Sequence, residues 1–158
     1  MIEQKIKFST IFSLIGICVF LLNCTSTKVA SYDKYSYERA VDLKTKMIRI
    51  MDKATEPYTL HKNRAEGLLV EIREMAQYEG GKANNETSSK MWEMLGDESK
   101  PFVGGFINRW KEKGQFSPLF VEEAKLQALE AMNLLIDFEL KKDAQTKNSL
   151  QTLILESQ

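Results

Sequence analysis

Apolar residues recur at helical spacing over a long stretch from about residue 34 to residue 79. A helix that buries one face repeats its apolar positions every three or four residues. The stripe comprises Ala40, Val41, Met47, Ile48, Met51, Ala54, Tyr58, Ala65, Leu68, Leu69, Ile72, Met75 and Ala76. It predicts helix throughout this stretch, with Pro57 in its middle.

Pro57 leaves two interpretations of the stretch. It can be the first residue of a second helix after a tight turn, with Thr55 as the cap, or it can kink one continuous helix. No Gly or Asn marks a turn at the proline. A spacing of seven continues straight through it, at Val41, Ile48, Thr55, Lys62, Leu69 and Ala76. We therefore expect one long, Pro-kinked helix over residues 34–79 that ends at Gly80–Gly81.

Two to three shorter helices are predicted after a polar loop at residues 82–90. The first buries Met91, Trp92 and Leu95, and the next runs from Pro101 to Lys113. The Gly104–Gly105 pair inside this second helix favours the close approach of another backbone, or a hinge.

Ser117 and Pro118 open a further helix that reaches about Lys142. This helix is apolar enough to predict cover on more than one side. The tail beyond it is polar until Leu150, and is expected to form either a last helical turn or a frayed end. No stretch alternates as a strand does, so the fold class is all-α, a helical bundle.

The first 24 residues have a different pattern. Lys5 and Lys7 precede an apolar run from Ile11 to Leu22, which ends in Leu21-Leu22-Asn23-Cys24. A charged segment before an apolar run of about 12–15 residues is typical of a secretory signal, and the run is short for a spanning helix of roughly 20 residues. A short uncleaved anchor is the alternative.

This N-terminus resembles the signal peptide of a bacterial lipoprotein. Leu21 occupies the position three before the cysteine, whereas Asn23 departs from the usual small residue directly before it. The resemblance implies cleavage before Cys24, a diacylglyceryl thioether on its sulfur and acylation of the new amine. Several acyl chains hold a protein stably on a membrane.

The resemblance also predicts a place and a domain organisation. Thr25, not Asp, follows the cysteine, and the sorting rule of enteric bacteria then implies the outer rather than the inner membrane of the cell envelope, with the domain in the periplasm. The chain divides into a signal peptide (residues 1–23), a lipidated tether (24–32), a helical domain (33–145) and a C-terminal tail (146–158).

Composition narrows the classes of function. Cleavage before Cys24 leaves a net charge of −1, so no basic footprint for nucleic acid is present. Cys18 and Cys24 are the only cysteines, so the domain has no thiol for catalysis or for zinc. His61 is the only histidine, and a phosphate loop or nucleophile motif is absent. We expect neither an enzyme nor a cofactor or metal site.

Two sets of side chains are candidates for a site. Acidic residues of the last predicted helix can pair as general acid and base, but their scatter round the helix favours a solvated face; they are Glu122, Glu123, Glu130, Asp137 and Glu139. The aromatic segment combines residue types that are favoured in binding sites, namely Trp92, Phe102, Phe106, Arg109 and Trp110. We expect the same segment to form the local core where three helices meet, and it can also bind a partner where Arg109 or Trp110 reaches the surface.

The sequence therefore predicts a lipid-anchored, non-enzymatic envelope protein that binds a protein partner or itself by helix packing. The long helix is expected to expose part of its stripe, as in a coiled coil. The alternative is a small-ligand-binding or inhibitory lipoprotein that uses an aromatic pocket around Trp92 and Trp110.

Overall fold

Residues 28–157, which the computed structural model describes, form an all-α bundle of six helices without a strand. The helices are α1 (Lys34–Met51), α2 (Lys62–Gly80), α3 (Glu86–Gly96), α4 (Val103–Lys113), α5 (Pro118–Lys141) and α6 (Ala144–Glu156). None of these helices combines the length and the apolar character needed to cross a membrane. The predicted signal peptide, Cys24 and residues 25–27 lie outside the described residues.

Helices α1 and α2 are separate and antiparallel, which corrects the prediction of one long kinked helix. Arg39 and Lys46 of α1 both bind Glu71 of α2, with nitrogen–oxygen distances of 2.8 and 2.6 Å. The spacing of seven was misleading because three of its members, Val41, Thr55 and Lys62, are exposed. That register therefore did not describe the buried face.

The turn between α1 and α2 consists of two 3-10 segments, Asp52–Thr55 and Tyr58–Leu60, with Pro57 between them. Glu56 is extended (φ −102°, ψ 161°), as a residue before proline usually is. Backbone hydrogen bonds tie the turn to the distant segment between α4 and α5. The Tyr58 amide donates to Gly114 (2.7 Å) and the Phe116 amide donates to Ala54 (2.8 Å).

The Gly104–Gly105 pair permits close backbone approach, one of its two predicted roles. A Cβ on Gly104 would lie 2.6 Å from the Asp97 carbonyl oxygen, and one on Gly105 would overlap the Lys100 carbonyl oxygen. The start of α4 therefore packs directly against the backbone of the loop that precedes it. This close packing brings Phe102 and Phe106 into the core.

Helix α5 begins at the predicted cap, because the Ser117 hydroxyl accepts from the Phe120 amide at 3.3 Å. The chain then turns through Lys142 (φ 47°) and forms α6, which the Asp143 side chain caps by accepting from the Thr146 amide. Leu150 and Ile154 are buried. The tail is thus a full helix that packs against the bundle. The predicted boundary between the helical domain and the tail, at residue 145, falls inside this helix.

The segment before α1 already lies on the bundle. The Ala30 amide donates to the Asn84 carbonyl oxygen (3.1 Å), and Val29 packs against the core. Asp33 caps α1 by accepting from the Tyr35 amide at 2.9 Å. The expected tether therefore makes its first contacts by residue 29, earlier than the boundary at 32.

Candidate functional site

The aromatic segment belongs to the core. Trp92 and Trp110 have no exposed surface, and Phe102 and Phe106 are 1% exposed. Of the five residues predicted to bind a partner or to line a pocket, Arg109 alone is exposed. The alternative prediction, a local core where helices meet, is the arrangement that the structure has.

Trp110 connects this core to the turn between α1 and α2. Its indole N–H donates to the Glu56 carbonyl oxygen at 3.1 Å, and its ring meets Tyr58 edge-on with centroids 5.3 Å apart. His61 stacks on the other side with centroids 5.8 Å apart, and its Nε2 lies 2.7 Å from Glu56 Oε2. The histidine is therefore part of the packing of the turn. Within residues 28–157 no three metal-binding side chains converge.

One predicted surface acid is buried. Glu139 has no exposed surface and lies opposite Lys142, whose Nζ is 2.8 Å from Glu139 Oε2 in an ion pair that is not aligned as a hydrogen bond. The Ser88 hydroxyl donates to its other oxygen. The expectation of a solvated face therefore fails at Glu139, because α5 turns this position towards α3. Glu122, Glu123, Glu130 and Asp137 are exposed as predicted.

A second buried glutamate lies in the same end of the bundle. Glu79 accepts from the hydroxyl of Ser36 (2.5 Å), from the ammonium of Lys82 (3.0 Å) and from the amide of Asn85. The oxygen of the Asn85 amide accepts from Lys142 at 3.0 Å. One connected polar network therefore joins the ends of α1, α2, α3 and α5.

At the start of α1, Asp33 joins this network through an ion pair with Lys82. Lys82 Nζ lies 2.6 Å from Asp33 Oδ2, and the Tyr78 hydroxyl donates to the same oxygen at 2.8 Å. The hydrogen bond from Lys82, with those from Tyr78 and the Tyr35 amide, holds the pKa of Asp33 far below its usual range. Both buried carboxylates, Glu79 and Glu139, are bound by a cation and by hydrogen-bond donors, and the network joins the ends of four helices.

The outer face of α5 is the most distinctive surface feature. Leu119, Leu126 and Leu140 are 70%, 68% and 48% exposed, although they lie on a well-packed helix. Partly buried Leu129 and Ile136 lie on the same line, which alternates in steps of three and four once Glu122 and Asn133 are included. We define the α5 seam as Leu119, Glu122, Leu126, Leu129, Asn133, Ile136 and Leu140.

The α5 seam has the spacing of a coiled-coil contact face, with five apolar residues and two polar ones, Glu122 and Asn133. Asn133 accepts a hydrogen bond from Lys44 of α1 at 2.6 Å. One edge of the seam, away from Lys44, is acidic, because Glu123, Glu130 and Asp137 follow one another there at intervals of seven. The seam is thus an apolar line with one acidic border.

Sequence analysis missed the α5 seam although a signal for it was present. Leu119, Leu126, Asn133 and Leu140 are spaced by seven, the pattern that was sought in residues 34–79. The high apolar content of α5 favoured cover on more than one side. Helices α1, α3 and α6 do pack against it, but the line that carries Leu119, Leu126 and Leu140 is left exposed. The exposed stripe expected on the first helix is therefore found on α5.

Comparison of the chain with protein-family models, with curated proteins and with solved structures found no match. Function is accordingly inferred from the residues themselves.

Proposed function

We propose that this protein is a lipid-anchored, non-enzymatic protein of the bacterial cell envelope that binds another protein by helix packing on the α5 seam. The observation that carries the proposal is the exposure of Leu119, Leu126 and Leu140 in one line. Large apolar side chains aligned on a surface cost free energy in water and are typical of a contact face. A partner helix laid along the seam would bury them.

The proposed partner is an amphipathic helix of another protein, with Lys or Arg along one border of its apolar stripe. Glu123, Glu130 and Asp137 would pair with those cations across the contact. A second copy offers no such border. In an antiparallel pair the acidic borders would face each other. In a parallel pair they would face the opposite border of the seam, where Met132 and Glu139 are buried and the one basic residue, Lys125, is already paired with Asp52 and Glu122.

The anchor in this proposal is Cys24, with its acyl chains in the outer membrane. Three residues lie between Cys24 and Lys28, and the four extended steps from one to the other reach about 14 Å. The bundle end that carries the polar network would therefore lie close to the membrane surface. Helix α5 rises from that end for about 36 Å, so a partner in the periplasm would have access to most of the seam.

The alternative function, binding of a small ligand in an aromatic pocket, is less well supported than partner binding at the seam. Trp92 and Trp110 are fully buried. A ligand would have to displace packed side chains to reach them. The seam needs no such rearrangement.

The partner is tested by a photo-crosslinking amino acid placed at position 126 in the full chain in intact cells. The matched control carries it at Gln127, which is exposed on the same helix but lies about 100° further round. We expect a crosslink from 126 but not from 127, onto a helix with a basic border. Leu126→Glu should then abolish binding of that helix as a synthetic peptide, whereas Gln127→Glu should not.

Three results would contradict the partner assignment. A crosslink from 126 to a second copy of the chain would make the seam a self-association face. A crosslink to lipid would make it a membrane contact. Equal crosslinking from 126 and 127, or none from either, would show that the seam binds nothing specifically.

The anchor is tested separately, by mass spectrometry of the N-terminus of protein isolated from membranes. We expect an acylated fragment that starts at Cys24. Cys24→Ser should release the protein from the membrane, and Cys18→Ser should leave it attached. An intact Met1 would contradict cleavage and favour an uncleaved anchor.

A further inference from the structure

A cleft opens between the second half of α1 and the first half of α2. Its volume is about 660 Å³, within the usual range of roughly 300–1,000 Å³ for small-molecule sites. Its walls are formed by Lys46, Arg49, Ile50, Asp52, Lys53, Arg64, Gly67, Leu68 and Glu71. The α5 seam shares none of these residues.

Gly67 lines the space between the two helices. Because α1 and α2 are antiparallel and Lys46 binds Glu71, Ile50 lies about level with Gly67. A Cβ on Gly67 would meet nothing within 4 Å. No neighbour therefore requires a glycine there, although glycine inside a helix is unfavourable. A larger side chain at position 67 would occupy the cleft.

The charges of the cleft are unbalanced. Four basic and two acidic side chains line it, and both acids are engaged. Glu71 binds Lys46 and Arg39, and Asp52 binds Lys125 of α5 at 2.7 Å. Lys46 and Arg39, by their hydrogen bonds, hold the pKa of Glu71 below its usual value, so it stays charged.

Two of the four cations have no such partner. Arg49 and Arg64 enter none of the ion pairs found among residues 28–157, and both are exposed at the cleft. A guanidinium group binds the two oxygens of a carboxylate or phosphate side by side. Ile50 and Leu68 line the same cleft with 7% and 2% of their surface exposed, and the alkyl stems of the lining lysines and arginines add to its apolar wall.

We propose that this cleft binds a small amphiphilic oxyanion, that is, a carboxylate or phosphate monoester on an apolar body. Arg49 and Arg64 bind the oxyanion, while the apolar body lies over Ile50 and Leu68 in the space beside Gly67. The cleft adjoins the turn at residues 52–61, at the opposite end of α1 from residue 28. Given the anchor proposed above, which would put residue 28 nearest the membrane, we expect the ligand to be a dissolved molecule and not a lipid headgroup.

The test is calorimetric titration of the full chain in neutral phosphatidylcholine nanodiscs, with empty nanodiscs as the blank. The probe is octyl phosphate. Inorganic phosphate lacks the apolar body and octanol lacks the charge, so both should bind more weakly. We expect saturable binding of octyl phosphate, weakened about tenfold or more in the Arg49→Gln/Arg64→Gln variant. Arg73→Gln, an exposed arginine of α2 outside the cleft, is the matched control and should bind as the wild type does.

The Gly67→Leu variant distinguishes binding inside the cleft from nonspecific binding to charges on the surface. Leucine favours helix and fills the open space, so the variant should fold and lose the binding of octyl phosphate. Unchanged binding in Gly67→Leu, or no saturable binding by the wild type, would overturn the proposal. In a second experiment, added phosphatidylglycerol vesicles should not compete with octyl phosphate for the protein. If they do compete, and the competition is lost in the Arg49→Gln/Arg64→Gln variant, the oxyanion that the cleft binds is a lipid headgroup.

Discussion

Glu139 and Lys142 form an ion pair at the C-terminal end of α5, with 2.8 Å between Oε2 and Nζ and with side chains that are 0% and 5% exposed. Lys142 ends the helix in a left-handed conformation (φ 47°, ψ 42°), which a non-glycine residue rarely adopts. It also donates to the Asn85 amide oxygen. The pair therefore holds the end of α5, the turn into α6 and the start of α3 in one arrangement.

Lys142→Met is expected to destabilise the protein strongly. The change would leave the buried Glu139 carboxylate without its cation, and such a loss costs about 3–5 kcal/mol. Chemical denaturation at neutral pH measures the change in the free energy of unfolding. Lys141→Met is the matched control, because its ion pair with Asp137 is exposed and its loss should change stability little. Similar stabilities for the two variants would contradict a structural role of the buried pair.

Asp33 is expected to make stability depend on pH. Its folded-state pKa is lowered by Lys82 first, and also by Tyr78 and the Tyr35 amide. The ionised carboxylate therefore contributes fully to the free energy of unfolding above about pH 5. This contribution declines as the pH falls through about 4, where Asp33 of the unfolded chain becomes protonated. Asp33→Asn keeps an oxygen to cap α1 but removes the charge. Thermal unfolding at pH 7 and at pH 3 should show a smaller loss of Tm for this variant than for the wild type. Glu123→Gln, at an exposed position of α5, should behave as the wild type does.

Glycines in two helices are expected to respond in opposite ways to alanine. Gly67→Ala should raise the free energy of unfolding by about 1 kcal/mol, because it improves helix propensity and meets no neighbour. Gly104→Ala should lower it by about 2 kcal/mol or more, since its Cβ would lie 2.6 Å from the Asp97 carbonyl oxygen. Denaturation curves measure both changes. A stabilising Gly104→Ala would show that the contact between α4 and the preceding loop is looser than described.

Trp110 and Arg109 are neighbours in sequence but should differ in the effects of their replacement. Trp110→Ala would empty a fully buried site and remove the hydrogen bond to Glu56, so we expect a loss of about 3–5 kcal/mol. Arg109→Ala should leave stability nearly unchanged, because the residue is exposed. Urea denaturation distinguishes the two. If Arg109→Ala loses partner binding while its stability is unchanged, the partner binds at the aromatic segment and not at the α5 seam.

The sequence by itself determined the local features of this protein. Its helical periods predicted an all-α bundle, and the bounds of α5 follow from Ser117, Pro118 and the apolar run after them. Asp33 and Gly114 lie at helix ends, because caps and glycines of positive φ depend on residues close in the chain. The resemblance of residues 1–24 to a lipoprotein signal is likewise local, and the anchor stays a prediction.

The tertiary structure decided everything that depends on distant residues. Pro57 was compatible with a kink or a turn, and the turn forms with hydrogen bonds to Gly114 and Phe116, more than fifty residues away. Burial of Glu139 depends on Ser88 and Lys142, so spacing within α5 could not predict it. The same holds for the α5 seam, because an apolar helix face is exposed or covered according to which other helices pack against it. Periodicity finds such a face, but tertiary packing determines whether it is left open.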